Sequence, residues 1–277
     1  MCLRLLCFSS CVVAHIYMKI VPVTCRYIDP TSTSTSSNAR LVQKVAEIIR
    51  VHQNNDTAVA FGVVAARILE AVMLLSSTKV SITPALLLQA LDTCYDTVRT
   101  DLEMILGGTE QRSVELIDVV LTAYQRAKTA ATEYATLDEL LLQLSHEKMK
   151  DQTESSFYDL AARSCALPGS FIGPVYQLYK VALSSSTKNI EESAYIDAIR
   201  ENILAAGDTC SRGVFVGSVL AAAIAVVPTE EDNHTETTGS TFESFWEQIE
   251  VNTRTEIQSY ADQIAAPHLV ANVQDEL

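Results

Sequence analysis

The fold reading turns on one stretch, Asn202-Ile-Leu-Ala-Ala-Gly-Asp-Thr-Cys-Ser-Arg-Gly-Val-Phe-Val-Gly-Ser-Val-Leu-Ala-Ala-Ala223. Its first residues read as the end of a helix that breaks at Gly207-Asp208. A second helix of very small residues follows. Gly213, Gly217 and Ala221 recur one turn apart, so they form a stripe that lets a neighbouring helix come close. Asp208 and Ser211 fall at the start of this second helix. Oxygen side chains in that place can cap the backbone N–H groups or hold a hard cation. Both uses stay open on the residues alone.

Outward from this stretch the pattern is helical nearly throughout. Leu41, Val45, Ile48 and Ile49 share one face of a helix that ends near His52. Asp56 or Thr57 can cap the next, in which Ala58, Phe61, Ala65, Ile68, Leu69 and Val72 recur at helical spacing. Thr83-Pro84 is a cap followed by proline at the first helical position, and Gly107-Gly108 can end that helix in a left-handed turn. Another helix begins at about Thr109. Thr136-Leu-Asp-Glu139 is a capping box. Later helices are expected at about 155–165, 171–184, 190–205, 212–226 and 242–252. Period-2 alternation is almost absent. Ile20-Val-Pro-Val-Thr24 permits a strand by its β-branched content, against which Pro22 counts. Thr31–Ser37 and Thr229–Ser240 read as polar connectors, neither of which divides the chain. The expectation is an all-α, single multi-helix globular domain.

Composition agrees. Of 277 residues, 48% are hydrophobic and 19% charged, which excludes a disordered chain. With only 9 glycines and 7 prolines, collagen-like and turn-dense β architectures are excluded too. The net charge of −14 speaks against nucleic acid and anionic membrane as partners, because phosphate contacts need clustered Lys and Arg. Seven cysteines without a CxxC pair suggest reduced thiols in an apolar interior. The five histidines are isolated, and there is no P-loop, dinucleotide fingerprint or HExxH. Gly169-Ser-Phe-Ile-Gly173 is not a nucleophile elbow, since its serine stands one place too early. The longest apolar candidate for a membrane span, residues 213–227, falls short of the ~20 residues a bilayer core requires.

The ends allow two locations. Met1 to Ala14 has one early positive charge and an apolar run, like a signal peptide, and the chain ends Gln274-Asp-Glu-Leu277, one residue from an ER-retention tetrapeptide. Asn55 and Asn233 stand in glycosylation tripeptides. The expected location is cytoplasmic, with the secretory pathway as the alternative.

Four ordered segments resemble one family. Ala206-Gly-Asp-Thr-Cys-Ser211 resembles the C-terminal Gly-Gly-Asp-x-Asp-Thr/Ser metal motif of the ADP-ribosylglycohydrolases, and the small-residue helix after it is typical of them. Cys165-Ala-Leu-Pro-Gly-Ser-Phe-Ile-Gly173 is similar to a Leu-Pro-Gly-Ser/Ala-Phe loop of the branch that includes the jellyfish J crystallins. Ile49-Arg-Val-His-Gln-Asn-Asn-Asp56 with the following Phe61–Arg67 helix resembles that branch's Thr-Gln-Asn-Asn-Asp lead-in to a long helix. Met18–Thr24, running on to Arg26 and Tyr27, resembles the segment before it.

The resemblance implies an all-α domain over residues 17–252, preceded by an apolar stub at 1–16 and followed by a C-terminal tail at 253–277. It also implies a hydrolase of ADP-ribosyl glycosidic bonds that uses magnesium, with Asp208 and Ser211 as the metal residues present, and ADP-ribose or an ADP-ribosylated substrate as partner. The departures are specific. Cys210 stands where the motif has its second acid, and a thiol is a soft, poor ligand for magnesium. Ala206 replaces the first glycine. The family's upstream Asp-Asp pair is expected just before Met18, where this chain has Ser10-Cys-Val-Val-Ala-His-Ile-Tyr17 without a carboxylate. These departures predict an N-terminally truncated family domain with impaired hydrolysis and no assignable catalytic residue. The alternative is a catalytically inactive, crystallin-like structural or ligand-binding relative.

Overall fold

The computed structural model describes residues 16–29, 38–77, 81–107, 110–150, 165–186, 188–224 and 251–274. Among these residues there are ten α-helices and no β-strand. In chain order they are α1 (Ile16–Tyr27), α2 (Ala39–His52), α3 (Asp56–Ser77), α4 (Pro84–Leu106), α5 (Gln111–Glu133), α6 (Leu137–Lys150), α7 (Gly169–Ala182), α8 (Glu192–Leu204), α9 (Thr209–Ile224) and α10 (Val251–Gln274). The all-α expectation holds. The connectors at 31–37 and 229–240, most of the helices expected at 155–165 and 242–252, and nearly all of the 1–16 stub lie outside the described residues.

Several helix ends are set by the local chemistry that the sequence announces. Thr83 Oγ1 accepts from Leu86 N at 3.3 Å, ahead of Pro84 at the first position of α4. Gly107 closes α4 with φ +71°, and its N–H donates to Glu103 O. The capping box is formed in both directions. Glu139 N donates to Thr136 Oγ1 at 3.2 Å, and Thr136 N donates to Glu139 Oε2 at 3.3 Å.

Three expectations need correction. The segment 20–24 is not a strand but lies within α1, with Pro22 inside the helix. Ile16, Tyr17, Ile20 and Thr24 are all buried, and this helical stripe outweighs the β-branched content. The cap of α3 is Asn55 rather than Asp56 or Thr57, since its Oδ1 accepts from Thr57 N at 2.8 Å. The longest apolar helix is α3, not residues 213–227. Its 22 residues are long and apolar enough to cross a membrane, yet 78% of its most apolar window is buried inside the protein.

That burial follows from position. α3 is the hub of the core, packed against α1, α2, α4 and α9, and every residue from Ala58 to Glu70 is buried. A helix surrounded on all sides needs an apolar surface on all sides. At Gly62 a Cβ would overlap Ile49 Cδ1, so glycine leaves room for the end of that α2 side chain. A second layer is α7, packed on α5 and α9. α10 is continuous across residues 252 and 253 and rests on α1, where Arg26 Nη1 lies 3.4 Å from both Gln263 O and Ile264 O.

One buried polar cluster ties the hub to its neighbours. Arg67 on α3 pairs with Glu70 one turn on and with Asp101 of α4, whose Oδ2 lies 3.0 Å from Arg67 Nε. Asn38, the cap of α2, donates to Glu70 Oε1 at 2.7 Å and to Tyr27 O at 3.1 Å. The four helices α1 to α4 thus meet at one set of paired charges. Buried charge is tolerated when an opposite charge lies beside it, as here; the Arg67–Asp101 contact is an ion pair without a hydrogen bond.

Candidate functional site

The N-terminal turns of α1, α7 and α9 meet at one place. Tyr17, second residue of α1, donates its hydroxyl to Ser170 O of α7 at 3.1 Å. Its ring stacks on Phe215 of α9, with centroids 5.0 Å apart and planes 16° from parallel. Ser170 in turn donates to Cys165 O at 3.2 Å, in the loop that holds the cis Leu167-Pro168 peptide. Tyr17 is fully buried. Burial pushes its phenol well above the usual range, the negative charge of Asp208 pushes further, and the positive charge of Arg212 pulls back. One phenol therefore senses both charges of the α9 terminus.

The two sequence-derived metal residues come together as a cap. Asp208 Oδ1 accepts from Ser211 N at 3.3 Å, so Asp208 is the N-cap of α9. Its Oδ2 and the Ser211 Oγ are both buried and without a hydrogen-bond partner. Two oxygens of one helix turn are thus unused, in a protein interior where such groups are usually satisfied.

The turn before the cap is held open by two residues the sequence reading passed over. Ala206 and Gly207 are both left-handed, with φ of 55° and 75°. For Ala206 this conformation is costly, and something must enforce it. Arg212 donates through Nη2 to Ala206 O and through Nε to Asn202 Oδ1 at 2.9 Å. Asn202 Nδ2 donates to Thr209 O at 2.8 Å. Two residues of the small-residue stripe, Gly213 and Gly217, face a neighbouring helix, which is α8. A Cβ at Gly213 would lie 3.1 Å from Asn202 Nδ2, and one at Gly217 3.5 Å from the Tyr195 hydroxyl. Glycine at 213 therefore leaves room for the asparagine that pins the turn. A signal for Arg212 existed, since it is the one charged residue in the otherwise apolar α9. A charge at 0% exposure in such a helix must have partners.

These residues do not fit a pair of magnesium ions. Magnesium asks for octahedral oxygen ligands, and a two-metal clamp needs carboxylates on both sides of the reacting atoms. Among the described residues no group of three His, Cys, Asp or Glu side chains is placed to hold a metal. Cys210, at the place of the motif's second acid, is exposed to solvent and lies off the buried face that carries Asp208, Ser211 and Arg212. It also departs from the expectation of buried thiols, which Cys94 meets.

Comparison with known proteins agrees with the architecture. A family model described as ADP-ribosylglycohydrolase matches residues 15–268, from the start of α1 into α10. No curated protein and no solved structure matches the chain.

Proposed function

Because the chain belongs to the ADP-ribosylglycohydrolase family, we propose that it recognises an ADP-ribosyl group where α1, α7 and α9 meet, and that cleavage of the glycosidic bond there is impaired. The observation that carries this reading is the pair of unused buried oxygens, Asp208 Oδ2 and Ser211 Oγ. A carboxylate oxygen left as an acceptor suits a ribose hydroxyl, which must donate a hydrogen bond on leaving water. The N-termini of α7 and α9 add partial positive charge on the same side, which favours a ligand that carries phosphate.

Impairment follows from what surrounds Asp208. Cleaving a glycosidic bond with water calls for two carboxyl groups, one to protonate the leaving group and one to activate water or stabilise the sugar cation. Among the described residues no group of three His, Cys, Asp or Glu side chains forms around Asp208, and Tyr17, Ser211 and Arg212 are poor bases. The Tyr17 phenol keeps its proton and is committed to Ser170 O. An ADP-ribosyl group bound here would meet one carboxylate, Asp208, in place of the paired acid and base that hydrolysis calls for.

The test pairs binding with turnover. ADP-ribose is titrated calorimetrically into the wild type and into Asp208→Asn. The variant keeps the capping oxygen but turns a donor toward the hydroxyl. The expected results are saturable wild-type binding, about tenfold weaker in the variant, and little release of ADP-ribose from an ADP-ribosylated peptide. Absence of saturable wild-type binding would refute the recognition reading, and rapid release would refute the impairment.

A further inference from the structure

We propose that Arg212 and Asn202 are positioning residues of the ligand site, a clamp that holds the carbonyls on either side of Asp208 and thereby aims Asp208 Oδ2 and Ser211 Oγ. The role rests on the recognition of an ADP-ribosyl group proposed above, and it names the residues that set the site's polar edge. Upstream of Asp208, Arg212 Nη2 donates to Ala206 O. Downstream, Asn202 Nδ2 donates to Thr209 O at 2.8 Å. The two halves are joined, because Arg212 Nε donates to Asn202 Oδ1 at 2.9 Å. Both side chains are buried, Arg212 at 0% and Asn202 at 1% exposure. Glycine makes room for each. A Cβ at Gly213 would lie 3.1 Å from Asn202 Nδ2, and one at Gly173 of α7 would lie 3.4 Å from Arg212 Cδ.

The clamp accounts for a backbone conformation that its own residue disfavours. Ala206 stands at φ 55°, a left-handed value that a Cβ makes costly. Such a conformation persists where surrounding contacts over-determine it, and here one contact is the bond from Arg212 to the Ala206 carbonyl. Two residues on, Asp208 Oδ1 is spent on the Ser211 N–H, which leaves Oδ2 and the Ser211 Oγ for a ligand. Their direction is set by the backbone from 206 to 209, and that stretch has a held carbonyl at each end. An oxygen displaced by about 1 Å loses much of its hydrogen bond to a bound hydroxyl. Lysine at 212 would keep the positive charge but not the planar fork whose separate nitrogens reach Ala206 O and Asn202 Oδ1. The clamp is a matter of geometry, and charge alone does not replace it.

The experiment titrates ADP-ribose calorimetrically into the full chain. Arg212→Lys is expected to weaken binding about tenfold, and adding Ala206→Gly to that variant to restore it to within about threefold of the wild type. Glycine adopts the left-handed turn without the Cβ penalty, so the turn forms with one bond fewer. Gly213→Ala, whose added Cβ crowds Asn202 Nδ2, is expected to weaken binding about threefold or more. The proposal is overturned if folded Arg212→Lys binds as the wild type does. It is overturned equally if Ala206→Gly restores nothing, because Arg212 then acts elsewhere than on this turn. Should Arg212→Lys fail to melt cooperatively, Gly213→Ala decides, and unchanged affinity in it overturns the proposal. A wild type that binds no ADP-ribose would sink the functional reading instead. Amide exchange at Ser211, whose N–H donates to Asp208 Oδ1, then judges the clamp. Exchange about tenfold faster in Arg212→Lys (in Gly213→Ala if the lysine variant does not fold), slowed again by Ala206→Gly, supports it, and unchanged exchange overturns it.

Discussion

At Asn202 one side-chain amide serves two helices. Its Nδ2 holds Thr209 O and its Oδ1 takes Arg212 Nε, so it joins the end of α8 to the start of α9. Asn202→Ala strands a buried guanidinium nitrogen and a carbonyl, and is expected to cost about 2–4 kcal/mol, measured by urea unfolding. Asn202→Asp should cost less, because a carboxylate still accepts from Arg212; equal losses in both would contradict this role. The thiols make a second contrast. Burial raises Cys94 to about 12, whereas Cys210 is exposed. In the native state at pH 8 a thiol reagent should modify Cys210 quickly and Cys94 only as fast as the protein opens. Rapid labelling of Cys94 would contradict the packing of α4. At this scale the sequence revealed Asp208 and Ser211 through their spacing after a glycine. Asn202 and Arg212 were not legible as a pair, because their bond depends on the angle between α8 and α9, which no local pattern encodes.

Helix ends were the most legible elements, since caps act within four residues. Thr83, Pro84 and Gly107 bound α4, and Thr136 with Glu139 opens α6, as local chemistry dictates. Thr83→Ala should therefore lower stability by about 1 kcal/mol, read from thermal melting, with fold and core unchanged. α1 was less legible, because its β-branched residues and Pro22 suit other states. Only the burial of Ile16, Tyr17, Ile20 and Thr24 against α2, α3 and α9 decides for a helix. The cluster of Arg67, Glu70 and Asp101 was hidden for a related reason. Arg67 and Asp101 stand on different helices, and nothing near either announces the other. Arg67→Met leaves two buried carboxylates without their cation and should cost about 3–5 kcal/mol. A loss below 1 kcal/mol in a urea or thermal melt would mean the carboxylates are solvated or partnered elsewhere.

Taken whole, the described helices wrap around α3, and buried charged side chains lie at the Arg67 cluster and at Arg212 of α9. The core also buries ionisable groups in their neutral form. Burial raises Cys94, Tyr17, Tyr124 and Tyr179, with the charges of Asp208 and Asp92 adding to the effect on Tyr17 and Tyr179. Each folded value lies above the unfolded one, so the stabilisation is complete below the unfolded values of about 9 for the thiol and 10 for the phenols, and is lost as pH rises beyond them. Urea midpoints should hold steady up to about pH 9 and fall steeply above it; a flat profile to pH 11 would contradict the burial of these groups. The overall fold was legible because helical periodicity, small-residue stripes and caps all pointed the same way. The site was legible only in part, since the sequence displays a missing acid at Cys210 but not the buried Arg212 that braces the turn before Asp208. The most direct measurement is therefore calorimetric titration of ADP-ribose into the full chain, with magnesium and again with chelator. Saturable binding with the same affinity, within twofold, is expected in both. Affinity that rises tenfold or more with magnesium, or no binding in either condition, would contradict it.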